Sequence, residues 1–383
     1  MKKIIVWTLV LSLGILTACE NTIRYEYDRN DGQITLLAQM NTSDTEHTIF
    51  LSMSYPDRVD SLPGAKVTCW VNGEEFVAEE QPVPMEEVYN PGFYYETRAA
   101  EPVVLQRRHQ LFNEYVFSAT LRPGDEVRVE ASKGTLKAWA EVTVPQPATL
   151  VQVDTNRVVR TLNYSDFGGT DYYEAVYMEM ATKIRDRVGE DNYFVLSGSR
   201  LVEGEFRRFD ESGAVDSVAY YRDESRELDY RTFHDTILED GYSAGEGNSL
   251  LDELLATNQM HCFSDKEFRD GEAVVRPYFD ADYFTWREYS YYWICPGTDE
   301  GDLHTVFSLQ LRTISRDFYN YLRAINNMET YGYDVTPIIE PTMLPSNVTG
   351  GFGLVSVAAV QTVTFDLGTT HIVHDSSDYP LYY

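Results

Sequence analysis

Six short segments in the first 144 residues alternate apolar and polar side chains: ITLLAQM (34–40), HTIFLSM (47–53), AKVTCWV (65–71), EYVFSAT (114–120), DEVRVEA (125–131) and KAWAEVTV (137–144). A period of two places every second side chain on one face of a strand, so each segment can bury one face and wet the other. An α-helix, at 3.6 residues per turn, cannot use that spacing. Leu62-Pro63-Gly64, Asn72-Gly73 and Arg122-Pro123-Gly124-Asp125 punctuate the run with turn residues. Short strands divided by such turns predict a small Ig-like β-sandwich over residues 34–147. Cys69 falls in phase with Val67 and Val71, which places its thiol in the core. Residues 78–113 break the pattern with a polar, Pro-containing excursion that includes Arg107-Arg108-His109. It is long for a loop, and such a segment is either functional or without fixed structure.

VPQPATL (144–150) marks the boundary, because Pro145 and Pro147 end the last strand and hold the link extended. Longer β-like segments follow: DYYEAVYMEMAT (171–182), NYFVLSGSRLV (192–202), DSVAYYRDE (216–224) and HTVFSLQLRTI (304–314). RRFDESGAVDSV (207–218) reads as a hairpin turning at Glu211-Ser212-Gly213. Two stretches have helical spacing. NSLLDELLAT (248–257) carries leucines at 250, 251, 254 and 255. ISRDFYNYLRAINN (314–327) has Ser315 as N-cap, Asp317 in the first turn, and Phe318, Leu322 and Ile325 as the expected buried stripe. No repeat of 20–50 residues is visible. The chain is therefore expected to be mainly β: a sandwich followed, over 148–383, by a larger antiparallel β-domain with one or two short helices.

Residues 1–18 have the form of a bacterial lipoprotein leader. Lys2 and Lys3 precede an apolar run, Ile4 to Leu16, too short to span a bilayer. Leu16-Thr17-Ala18-Cys19 fits the lipobox. Cleavage before Cys19 leaves a cysteine with diacylglycerol on its thiol and a palmitate-type acyl chain on its amine, and several chains together anchor stably. Residues 19–33 then form a tether reaching roughly 45 Å at about 3.3 Å per residue.

The sequence holds 31 basic and 61 acidic residues, a net charge of −30. Such a surface is repelled by phosphate backbones, which excludes nucleic acid as a partner class. Beyond Cys19 stand Cys69, Cys262 and Cys295, without the spacing of a zinc or redox motif. Cys262 and Cys295 either pair in an oxidising compartment or stay apart.

Gly241-Tyr242-Ser243-Ala244-Gly245 spells the nucleophile elbow of serine esterases. An elbow needs an apolar strand running into the serine, however, and Glu239-Asp240 occupy that place. Ser243 reads as part of a Gly/Ser loop ahead of a helix. His371 and His374 lie three apart on a strand-like segment and so face opposite sides, which argues against a shared metal. No catalytic residue, metal or cofactor is expected. The span RPYFDADYFTWREYSYYWICPG (276–297) is unusually aromatic, and Tyr283, Trp286, Tyr289, Tyr291 and Trp293 are its candidate contacts for a glycan, peptide or protein partner. Asp60-Ser61-Leu62, Asp216-Ser217-Val218 and Asp235-Thr236-Ile237 fit a short bacterial O-glycosylation signal.

Three blocks carry a family likeness: Phe263-Ser264-Asp265-Lys266-Glu267-Phe268-Arg269-Asp270-Gly271, Ser315-Arg316-Asp317-Phe318-Tyr319-Asn320-Tyr321-Leu322, and Glu340-Pro341 followed by Ser346-Asn347-Val348-Thr349-Gly350-Gly351-Phe352-Gly353. In this order, behind a lipobox and a β-domain, they resemble the lipoprotein family of domain of unknown function 4249, typical of Bacteroidota. Phe268-Arg269-Asp270-Gly271 is one residue longer than the family's Phe-Asp-Gly. LPGAKVTCWVNGEEF with LRPGDEVRVEA is similar to the carboxypeptidase regulatory-like, transthyretin-like sandwich. The resemblance implies an outer-membrane, surface-facing lipoprotein that works with a TonB-dependent transporter as a binding or lid subunit. The alternative is a structural or adhesive surface lipoprotein. No catalytic residues carry over from the family. Asn347 and Gly350-Gly351 suit a tight turn, and GLVSVAAVQTVTF a closing core strand.

Overall fold

The computed structural model describes residues 32–55, 58–82, 85–88, 104–107, 112–164, 171–209, 214–233, 235–239, 260–284, 299–331 and 344–374. The first region contains β1 (Gln33–Asn41), β2 (Glu46–Ser54), β3 (Val59–Ser61), β4 (Lys66–Val71), β5 (Glu74–Glu80), β6 (Met85–Val88), β7 (Val104–Arg107), β8 (Asn113–Ser118), β9 (Glu126–Lys133) and β10 (Leu136–Thr143). Alternation dictates its core: Leu36 and Ala38 of β1, Ile49 and Leu51 of β2, Cys69 of β4 and Val129 of β9 all point into one apolar cluster. Asn72 and Gly73, with φ of 52° and 84°, make the two-residue turn from β4 to β5. Part of the 78–113 excursion is a hairpin in which β6 pairs with β7, Met85 opposite Arg107.

The second region follows with β11 (Thr149–Tyr164), β12 (Asp171–Arg185), β13 (Tyr193–Phe209), β14 (Val215–Leu228), β15 (Tyr230–Arg231), β16 (Cys262–Ser264), β17 (Glu272–Val275), β18 (Tyr278–Asp280), a 3-10 turn (Ala281–Phe284), β19 (Asp299–Ile314), helix α1 (Arg316–Tyr331) and β20 (Gly351–His374). β13 and β14 form the expected hairpin, with Arg207 opposite Val218. The departure from the family spacing at Asp270-Gly271 is itself a tight turn, φ 53° and 75°, closed by mutual backbone hydrogen bonds of 3.0 Å between Arg269 and Glu272.

One large sheet runs β10-β9-β4-β5-β8-β2-β1-β20-β19-β13-β14, with β3 on β2 and β16 on β13; a second runs β11-β12-β18-β15, with β17 on β12. The two regions meet in a parallel pair, β1 with β20, from Ile34 opposite Gly351 to Asn41 opposite Ala358. Just before β20, Thr349 exchanges backbone hydrogen bonds of 3.0 and 2.8 Å with Trp139 of β10, so the first region's strand run closes on itself. β20 is buried on both faces here: Val355 and Val357 enter the first core, while Leu354 and Ala358 face α1. That double burial explains the nearly continuous apolar run in its sequence. Gly350 supplies the expected positive φ, 77°. Asn347 acts differently, clasping the backbone of Val355 with two hydrogen bonds of 2.8 and 3.0 Å.

Helix α1 begins as its sequence dictates, with the Ser315 hydroxyl accepting the Phe318 N–H at 3.3 Å. Its buried face holds Phe318, Tyr319, Leu322 and Asn326, while the expected Ile325 is half-buried. The helix is turned toward Asn326 because that amide accepts the Met260 N–H at 3.0 Å. The other expected helix, 248–257, lies outside the described residues.

Candidate functional site

β13 changes partner along one edge. β16 covers Tyr193 to Val195, and β14 takes over from Gly198 onward. In the gap the His261 carbonyl accepts the Leu196 N–H at 3.2 Å. Here the chain also leaves β14 for β15 in the other sheet, through Glu227 at φ 54°. His261 stands at φ 51° and nearby Phe233 at 43°. Left-handed backbone is ordinary for the turn residues Asn72 and Asp270 and tolerated by His261 but costly for Glu and Phe, and such strain gathers at functional positions.

The side chains around this crossover form a linked set. The buried His261 ring stacks on Tyr230 at 4.1 Å, and Tyr230 leads through Phe279 (5.3 Å) and Phe307 (5.2 Å) to Phe284, stacked on Phe307 at 4.4 Å. Gly198 is required where this row crosses β13, because a Cβ there would meet Phe279 at 2.6 Å and Phe307 at 2.9 Å. Arg200 pairs with Asp223 at 3.1 Å. Arg312 reaches Glu227 at 2.9 Å and the Ser197 hydroxyl at 3.2 Å. The Nε of each arginine and the buried Tyr230 hydroxyl have no hydrogen-bond partner among the described residues.

Electrostatics keep the set from acid–base work near neutrality. Burial pulls His261 down to about 4, outweighing the raising effect of Asp229 and Glu227, so its ring is neutral at pH 7. Burial also raises the Tyr230 hydroxyl well above its ordinary value, with Cys262 and Asp235 adding to it. The Tyr230 hydroxyl and both Nε atoms are sealed from solvent, so what the set presents outward is the partly exposed ends of the Arg200 and Arg312 guanidinium groups beside an aromatic row. That suits a polar contact rather than proton transfer.

Tyr283 packs beside this set. It is half-buried against the same aromatic core, and its hydroxyl is raised by burial first, then by Asp229 and Asp280, with Arg200 opposing. The remaining aromatic candidates, Trp286, Tyr289, Tyr291 and Trp293, lie outside the described residues, as do Cys19, Ser243 and Cys295. Cys69 is fully buried and its thiol is pushed up to about 12. Cys262 is buried beneath α1. His371 bonds Asp302 across the strands at 2.9 Å, and the register pairs His374 with Asp299. Among the described residues no group of His, Cys, Asp and Glu could hold a metal ion. Asp60 and Ser61 lie exposed on β3, whereas Asp235 is engaged, its carboxylate accepting the N–H groups of Ile237 and Arg276 at 3.0 and 2.8 Å. The sequence reading missed Arg200, His261 and Arg312. The signal for the two arginines was charge within strands otherwise apolar, as in HTVFSLQLRTI, and His261 had none.

The family model described as Domain of unknown function (DUF4249) matches residues 20–364. The chain belongs to this family. The match covers the first region, the crossover and most of β20, so the site lies wholly within the DUF4249 portion. No curated protein matches the sequence. A solved structure of a DUF4785 family protein from Legionella pneumophila is similar at 9% identity, covering 73% of this chain and 52% of that one, with a TM-score of 0.18. The DUF4249 chain thus spans about half that protein's length, and at this TM-score the likeness carries no argument.

Proposed function

We propose that this DUF4249 protein is a lipid-anchored, surface-facing outer-membrane lipoprotein of Bacteroidota that serves, without catalytic activity, as a binding or lid subunit of a TonB-dependent nutrient transporter. The parallel pairing of β1 with β20 carries the reading. The strand that directly follows the tether is fixed to one that runs on for 24 residues into the second region. By register the crossover at Leu196–Gly198 lies level with Gln361–Val363 of this strand, which at about 3.3 Å per residue is roughly 35 Å beyond Gly351. A lipid on Cys19 would therefore hold the crossover site on a continuous sheet, well away from the anchored end. A binding or lid subunit needs that combination of anchor and rigid reach. The strained, hydrogen-bond-rich crossover, with Tyr283 opening the aromatic stretch, is its contact candidate, for a glycan, peptide or the transporter itself. The first region supports the same picture as a transthyretin-like, non-catalytic riser.

The test is affinity purification of the native lipoprotein from detergent-solubilised outer membrane, with mild cross-linking and mass spectrometry. A stoichiometric TonB-dependent transporter is expected, and Cys19→Ala should move the chain into the soluble fraction. Recovery of the lipoprotein alone, or only with its own copies, would remove the transporter role and favour the structural or adhesive reading.

A further inference from the structure

A cavity of about 420 Å³ opens on the outer face of the first region, between β1, β2 and one side of α1. Its floor follows from the register. Leu37 of β1 sits opposite Phe50 of β2 on one side and Leu354 of β20 on the other, giving an apolar row across three strands. Helix α1 covers Leu354 and sets Tyr321 in the wall, while Phe50 stays 37% exposed. Phe352, 42% exposed, extends the apolar surface along β20. Asp44 and Glu46 line the cavity as well. Asp44 is held in its turn by Ser43 and Asn41, each at 3.0 Å. Arg226 of β14 comes close enough to feel the charge of Asp44, but it is paired with Glu224 at 2.7 Å.

We infer that this groove takes a segment of a partner protein that presents one large apolar side chain close to a lysine or arginine. The apolar row accepts the first and the two carboxylates the second, on a chain whose net charge is −30. A second copy would bring that same acidity to the groove. The chain's own residues 20–31 hold four acidic residues and two basic ones. The second copy is the poorer fit on charge, whereas Ile23-Arg24-Tyr25 of the tether has the same apolar-plus-cationic pairing. Peptide binding that appears only after deletion of residues 20–31 would therefore assign the groove to the tether and overturn the inference. The groove's chemistry stands apart from the transporter reading, since any partner with such a segment satisfies it.

The experiment is selection of random 12-residue displayed peptides against the full mature chain, followed by affinity measurements on the enriched peptides. These should join Phe, Leu or Trp to Lys or Arg within a few residues. Their binding should weaken about tenfold in Asp44→Asn/Glu46→Gln, a loss that shrinks as salt rises, and about tenfold in Phe50→Ser at any salt. Asn and Gln keep the turn's hydrogen-bonding shape, and an unchanged thermal midpoint in each variant separates lost binding from lost folding. Three results would overturn the inference: acidic or purely apolar enriched peptides, equal binding to all variants, or no enrichment. Concentration-dependent self-association of the parent chain that Phe50→Ser abolishes would overturn it too, assigning the groove to a second copy.

Discussion

The first and second regions share a sheet but are built to different standards. In the first, the core is mostly aliphatic, the buried atoms without partners are neutral (His47 Nδ1, Ser52 Oγ, Asn113 Oδ1), and the one non-glycine residue at positive φ among those described is Asn72, in a turn that wants it. In the second, a row of phenylalanines fills the core, and the buried atoms without a hydrogen-bond partner among the described residues include the Asp186 carboxylate oxygens and the Nε of Arg200, Arg312 and Arg323, the first two of these arginines being paired through their other nitrogens. Left-handed backbone there falls on Asp270 and His261, which tolerate it, and on Glu227 and Phe233, which do not. Each orphaned atom or untolerated φ costs about 1–3 kcal/mol. A region that keeps several of them has stability elsewhere to offset the cost, and the regular neighbour sharing its sheet is one source. Regularity marks the support and irregularity the place where recognition is expected.

The largest test of that comparison is to cut the support. Gly353 stands at φ 118° in β20, where a Cβ would lie 2.1 Å from the Leu36 carbonyl oxygen of β1. Gly353→Val combines left-handed strain with a forced shift of the neighbouring backbone, about 4 kcal/mol together. Calorimetry should show the second region melting earlier and apart from the first. A variant that melts at the parent's temperature in one transition would mean that the parallel pair contributes little to either region.

A smaller effect concerns His261. In the unfolded chain it takes a proton near 6.5, while in the fold it resists until about 4. Between those values the unfolded state holds more protons, so this contribution is intact above pH 6.5 and is lost as the pH falls toward 4. The loss amounts to roughly 3 kcal/mol. His261→Asn, which tolerates the left-handed backbone, should be less stable at pH 7 but should lose roughly 3 kcal/mol less on acidification. Urea titrations at pH 7, 5.5 and 4 give the comparison, and parallel pH profiles for the two chains would contradict the assignment.

The sequence reveals the regular region better than the irregular one, for physical reasons. Alternation at period two is local, so the strands of the sandwich and the Ser315 cap could be read directly. The parallel partnership of β1 and β20 joins residues more than 300 positions apart, and nothing in either segment names the other. The buried stripe of α1 was misjudged by one position, Ile325 for Asn326, because a single amide answering Met260 outweighs one aliphatic side chain. The crossover was hidden more deeply, since Glu227 and His261 are not residues that announce positive φ. The aromatic crowding around Tyr283, by contrast, is visible in composition alone.

The smallest expected effect has the opposite sign and tests whether the second region's buried charge is a cost. Asp186 follows β12, donating its N–H to the Gly271 carbonyl at 2.7 Å, and its buried carboxylate has no well-formed hydrogen bond among the described residues, only the neighbouring Arg187 N–H and guanidinium to oppose its burial. Burial, reinforced by the charge of Asp265, holds this carboxyl above its ordinary range. At neutral pH the group is ionised in both states and the fold is penalised. The penalty eases as the pH falls through the raised value, the reverse of His261. Asp186→Asn should therefore stabilise the chain by about 1 kcal/mol at pH 7, with the gain fading as the pH falls through the raised value and gone below the unfolded carboxyl's value. A destabilised variant would mean that the carboxylate is held by an interaction worth keeping, and the second region would then be less costly than its orphaned atoms imply. A stabilised one would show a charge retained at the expense of folding, which is the pattern expected of a surface kept for a partner rather than for the fold.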